Sequence, residues 1–155
     1  MLVTQIPKIP VLAPLALGAI PTVFTILIHG LAVMATVSFF RRERRLGRAG
    51  VNFWSDLWIV TLAISFAFAA HLVDIALWAV LFVICGEFPA LGTAYYHSAV
   101  NYTTLGYGDL IMTPSWRMLG PLEAADGMLM FGVSTAIIFA LTLRLIQARF
   151  MDLKE

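Results

Sequence analysis

Thr103-Thr104-Leu105-Gly106-Tyr107-Gly108-Asp109 is the stretch on which the reading of this sequence turns. Two glycines one residue apart release the backbone from the angles that side chains impose. The run therefore predicts an irregular, tightly specified loop rather than a helix or a strand. Just upstream, residues 90–104 carry Tyr95, Tyr96, His97, Ser98, Asn101 and Tyr102. That piece is too short and too polar to cross a bilayer, so it reads as a re-entrant helix that delivers the loop. Gly86, Glu87 and Pro89 separate it from what precedes, and residues 111–119 form a loop after it.

Working outward, the flanks are apolar enough to span a membrane. Of the 155 residues, 61% are hydrophobic and 12% charged. A soluble domain is nearer half apolar and a quarter charged, so the bilayer is the natural solvent for this chain. One span is expected from about Pro21 to Phe40 and a longer one from about Phe53 to Cys85. A last one, opened by Gly120-Pro121, covers about Gly127 to Leu143. Proline suits a first helical turn, and the helix dipole favours Glu123 and Asp126 near that helix start. Residues 1–20 mix prolines with apolar residues and read as a short extracellular or interfacial segment. A cleaved leader is a poor fit, because the positive cluster follows the first apolar run instead of preceding it.

Charge sets the expected orientation. Arg41-Arg42-Glu43-Arg44-Arg45-Leu46-Gly47-Arg48 holds half of the ten Lys and Arg residues and reads as a cytoplasmic loop beside anionic headgroups. Arg144, Arg149 and Lys154 put the C-terminus on the same side. The expected topology is N-terminus extracellular, re-entrant segment extracellular, C-terminus cytoplasmic, in a multi-pass protein of the cell membrane. The net charge of +1 gives no hint of nucleic acid. The single cysteine, Cys85, excludes a disulfide within the chain.

A potassium ion entering a membrane must exchange its water shell for other oxygens. Backbone carbonyls can supply them if four chains present the same loop around one axis. Thr104 can add a hydroxyl at the inner end, and Tyr107 can brace the loop. On these residues, 103–109 closely resembles the selectivity filter of the potassium channel family. The likeness extends over roughly residues 54–145. It implies an all-α membrane protein with three transmembrane helices, a re-entrant pore helix and a filter loop, assembled as a homotetrameric pore in the lipid bilayer. It implies K+ bound by oxygens of Thr104, Leu105, Gly106 and Tyr107, with no cofactor beyond the permeating ion. Thr103, Gly108, Asp109, Tyr96, His97 and Val100 fall at filter-supporting positions, and the Asp109 carboxylate is expected to accept a bond from Tyr96. His97, turned about 100° around the helix, is expected to face elsewhere and to pack.

Two departures from the family pattern stand out. Leu105 replaces the more usual valine. Val100 stands where some bacterial members carry glutamate, so a carboxylate brace behind the filter is expected to be absent. The chain divides into an N-terminal part (1–50), a pore domain (51–148) and a short cytoplasmic tail (149–155). In the last helix Gly127 and Gly132 are candidate hinges, against the alternative that small residues merely allow close packing. Ser134 and Thr135 are candidate cavity-facing hydroxyls.

Rival readings are a non-conducting accessory subunit and a less selective monovalent cation channel. An enzyme built on Ser134 or Cys85 with His29 or His71 lacks any nucleophile-elbow or H-E-x-x-H pattern. His29, His71 and Asp74 fall at mid-span, where ionisable groups find partners. They predict a polar contact fixing the first helix to the second, with proton sensing or a metal site as the functional alternative. The arginine cluster does not have the spacing of a voltage sensor, and no cytosolic regulatory domain is expected. Gating is therefore expected at the filter or at the crossing of the inner helices, with weak voltage dependence.

Overall fold

The computed structural model describes residues 10–151. The early positive charge Lys8 and the tail residue Lys154 lie outside the described residues. Four helices account for most of the described residues: α1 (Leu12–Arg45), α2 (Phe53–Ile84), α3 (Leu91–Tyr102) and α4 (Leu119–Met151). Among the described residues there is no strand. α1, α2 and α4 are each long and apolar enough to cross a membrane. At 1.5 Å per residue the 32 residues of α2 extend about 48 Å, well beyond a hydrocarbon core of about 30 Å, so this helix tilts or projects past the lipid. The protein is thus an all-α membrane protein with three spans and one short helix.

The helix ends differ from the sequence expectation in three places. α1 begins nine residues before Pro21 and runs through it. Pro14 sits at the third helical position, where a missing N–H costs nothing. Pro21 does remove a bond inside the helix, the one to the Leu17 carbonyl, and beside it Thr22 Oγ1 donates to the Gly18 carbonyl at 2.9 Å. The expected basic loop is also partly helix. Arg41 to Arg45 complete α1, and the turn begins at Leu46. Arginine propagates helix well, and positive charge in a last turn is favoured by the dipole. Finally Leu119, expected in the loop, already belongs to α4.

The chain forms two compact units. The first comprises the described residues up to Thr25 together with Val73–Leu129. It contains the start of α1, the end of α2, all of α3, the glycine-bearing loop and the start of α4. Its centre is aromatic: Trp78, Phe82 and Tyr102 are wholly buried. Phe82 meets Phe88 and His97 edge-on, with ring centroids 6.4 and 5.5 Å away.

The second unit comprises Ile26–Leu72 and the described residues from Met130 onward. Ile59, Ala63, Leu141 and Leu145 form its core, with Phe39, Phe40 and Val60 packed against them. The turn between α1 and α2 is tied down by Asp56, whose Oδ1 accepts the Gly50 N–H at 2.7 Å. Asp56 Oδ2 pairs with Arg149 at 2.6 Å. Gly50 has φ +81°, and a Cβ there would meet the Cβ of Ala148 at 2.7 Å, so glycine is required on both counts. His29 and His71 meet with ring centroids 4.6 Å apart, and His71 stacks on Phe131 at 4.2 Å. The first and second helices therefore meet at these two imidazoles through a ring contact.

Many large apolar side chains remain exposed on the chain, among them Leu27, Leu31, Met34, Trp54 and Phe68. In lipid that is no defect. Helices there are held by close packing and by hydrogen bonds, since burial against a neighbour gains little over burial in acyl chains.

Candidate functional site

The site is built from the C-terminal end of α3. Residues 91–102 form three turns, and the end is closed by backbone bonds that fold the chain back on itself. Thr103 N–H reaches the Ala99 carbonyl at 3.2 Å, and Thr104 N–H reaches Asn101 at 2.8 Å. Leu105 and Gly106 both donate to the Val100 carbonyl, at 2.9 and 3.1 Å. Val100 thus organises the start of the loop through its backbone, whatever its side chain.

The loop alternates. Thr104, Gly106 and Gly108 have φ of 61°, 59° and 73°, while no other non-glycine residue described has positive φ. Every second residue from 104 to 108 is therefore left-handed. A strand turns successive carbonyls to opposite sides; alternation of left- and right-handed residues instead lets them share one side. Two of the three positions are the glycines that permit it. The third, Thr104, is β-branched, and positive φ there is a costly conformation of the kind that persists at functional sites. The loop is open: residues 103–109 are all exposed within the single chain.

Three groups fasten this loop. The Tyr96 hydroxyl donates to Asp109 Oδ2 at 2.8 Å, the bond implied by the resemblance. That bond, reinforced by the nearby carboxylate charge, raises the Tyr96 phenol above its ordinary value and keeps it a donor. His97 is buried between Phe82 and Phe88, as expected of a packed residue, and its Nε2 accepts from the Asn101 amide at 2.8 Å. Burial holds His97 below the ordinary histidine value, against a smaller opposing effect of the Leu110 carbonyl. Beyond the loop, Thr113 is held by Glu87, its N–H and hydroxyl bonding the carboxylate at 2.7 and 2.6 Å. Cys85 lies one residue past α2, and burial together with Glu87 pushes its thiol up.

Behind α3 stand acids to which the sequence reading gave other roles. Asp74, fully buried on α2, accepts the Tyr102 hydroxyl at 2.8 Å. Asp126 is not a solvent-facing helix-start acid: it is buried, accepting Trp78 Nε1 at 2.9 Å and contacting Thr25 Oγ1 at 3.0 Å. One carboxylate therefore joins α1, α2 and α4. Glu123 is also fully buried and hydrogen-bonds Ser98 of α3. This contact supports the pore helix at Ser98, not at the Val100 position for which a carboxylate brace behind the filter was expected to be absent. Val100 itself carries no carboxylate; the one from α4, Glu123, lies 25 residues downstream of its partner Ser98. The signal available in the sequence was two acids inside an otherwise apolar helix, which only partners can stabilise.

Of the candidate hinges, Gly127 has a packing reason. A Cβ there would run into the carbonyl oxygen of Tyr102, so α4 and the end of α3 approach as closely as backbones can. No described residue lies within 4 Å of a Cβ at Gly132. Ser134 is buried.

Three apolar spans, with a short helix and a left-handed alternating loop between the second and third, define a channel-type membrane protein. The chain belongs to the ion channel family: the family model described as ion channel matches residues 59–144, more than half of the sequence. No curated protein and no solved structure matches it.

Proposed function

We propose that the protein is one subunit of a potassium-selective channel, passing K+ passively through a filter made by four copies of residues 104–107. The observation that carries the reading is the Thr-Leu-Gly-Tyr-Gly loop with φ alternating in sign, delivered by a short helix inside the segment that matches the ion channel family. Carbonyls of Thr104, Leu105, Gly106 and Tyr107 would replace the hydration shell. Thr103, Gly108 and Asp109, with Tyr96, His97 and Val100 behind them, would hold the loop's shape.

The homotetramer follows from the same loop. One chain supplies one strand of carbonyls, and its polar backbone stands exposed, which lipid does not tolerate. Other copies around a water-filled axis would cover it. The α3 helix ends at the loop, so its dipole would favour a cation there. The positive-inside rule would put the end of α1 and the C-terminus of α4 in the cytoplasm, leaving the N-terminus outside. The chemistry is transport, with no reaction catalysed.

The test is reconstitution into liposomes with a K+ gradient, measuring flux against the same gradient of Na+. Potassium flux at least tenfold above sodium flux is expected. Equal fluxes favour the less selective cation channel, and no flux from a correctly folded protein favours the accessory subunit. Replacing Gly106 with alanine should abolish the flux, since alanine resists φ of 59°.

A further inference from the structure

We infer that the Glu123 side chain acts as a hydrogen-bond donor, a neutral carboxylic acid that positions the pore helix by closing a polar chain from α4 through Ser98 to the backbone of α2. The inference deepens the channel reading and rests on it for its functional consequence, but its chemistry stands on the hydrogen-bond geometry alone.

Ser98 sits in the middle of α3 and is fully buried. Its hydroxyl oxygen lies 2.8 Å from the Ile75 carbonyl of α2 and against Glu123 Oε1 of α4. A hydroxyl carries one proton. A carbonyl and a carboxylate are both acceptors, so with Glu123 ionised one of the two contacts would bring lone pairs together with no hydrogen between them. The arrangement is complete when Glu123 keeps its proton. Glu123 then donates to Ser98 Oγ, and Ser98 donates to the Ile75 carbonyl. Three helices are joined by two hydrogen bonds, and each hydrogen has one donor and one acceptor.

The surroundings agree. Glu123 forms no ion pair with a lysine or arginine among the described residues. Its second oxygen is buried with no hydrogen-bond partner among the described residues, and the Asn101 side chain of α3 lies close to the carboxyl group. The charged and titratable groups around it are acids or weak bases. Asp126 lies one turn along α4, Asp74 of α2 is reached through Tyr102, and His97 of α3 is reached through Asn101. An additional negative charge would find repulsion there and no counter-ion. Ser98 lies two residues before Val100, whose carbonyl receives the Leu105 and Gly106 N–H groups. A shift of α3 is therefore transmitted directly to the start of the loop.

The experiment uses the full-length protein in liposomes, with three variants and two readouts. Infrared difference spectra of Glu123→Gln against wild type should show the loss of one carboxylic-acid carbonyl band, sensitive to D2O, at neutral pH. Loss of a carboxylate band instead overturns the inference, and neither result depends on conduction. For the functional arm, Glu123→Gln keeps an N–H donor for Ser98 and should retain K+ flux. Glu123→Ala and Ser98→Ala should each lower it by about two- to tenfold, the factor that one hydrogen bond of ordinary net strength represents. In wild type the flux should fall on alkalinisation, as the proton is removed, and Glu123→Gln should be insensitive over the same range. A Gln variant as impaired as the Ala variant, or one with the wild-type alkaline loss, overturns the positioning role. If no protein conducts, the channel reading fails while the infrared result still decides the proton.

Discussion

Replacing Gly127 with alanine tests how tightly α4 is set against the pore helix. The added Cβ would meet the Tyr102 carbonyl oxygen, and the Tyr102 carbonyl carbon at 3.0 Å. The obstacle is backbone, and Tyr102 is wholly buried and anchored by its bond to Asp74, so it cannot turn aside. Overpacking of this kind costs about 1–3 kcal/mol, and a rigid obstacle argues for the upper end. Alanine returns about 1 kcal/mol of helix propensity. The net expectation is a loss of about 2 kcal/mol. At Gly132 no described residue opposes the Cβ, so Gly132→Ala should gain up to about 1 kcal/mol. The two variants should thus differ by about 3 kcal/mol, or roughly 6–12 °C in melting temperature for a chain of this size. Thermal unfolding in detergent, followed by tryptophan fluorescence, measures the difference. A Gly127→Ala protein melting at or above wild type would refute the packing argument and return Gly127 to the hinge reading.

On the proposed channel function, Tyr96→Phe keeps the ring and removes the donor to Asp109, so K+ flux should decline faster during sustained conduction; time-resolved flux at an unchanged yield of folded protein checks it. Asp126→Ala leaves Trp78 Nε1 without its acceptor and should cost about 1–3 kcal/mol, seen as a lowered melting temperature. His97 is held below its ordinary value by burial, so the neutral ring is the form the fold favours. Its stabilising effect should be complete above about pH 6.5, the ordinary histidine value. It should be lost as the pH falls through the folded value. Melting temperature against pH should therefore drop on acidification in wild type and less in His97→Gln. Arg149→Ala should cost under about 1 kcal/mol, because the arginine is partly exposed and Asp56 keeps the Gly50 N–H; salt should diminish the difference from wild type.

The sequence by itself determined the elements whose signals are local. Three apolar runs and one short polar helix are matters of length and composition, and the glycines at 106 and 108 announce a backbone that no other residue adopts freely. Even the Tyr96–Asp109 bond could be anticipated, because 13 residues of helix and loop with a known likeness fix its ends. Helix ends were less legible: hydropathy cannot see that arginines continue a helix past the apolar run, or that Pro21 is carried inside one. What only the tertiary structure decided is the polar framework behind the pore helix. Thr25 and Asp126 are 101 positions apart, and Ser98 and Glu123 are 25 apart on different helices. No spacing rule connects them. The absence of a glutamate at Val100 said nothing about α4, which brings a carboxyl group to Ser98 of the same helix. Such pairings depend on which faces of the helices meet, and in a membrane those faces are chosen by close packing at residues such as Gly127 and by the need of each buried polar group for a partner.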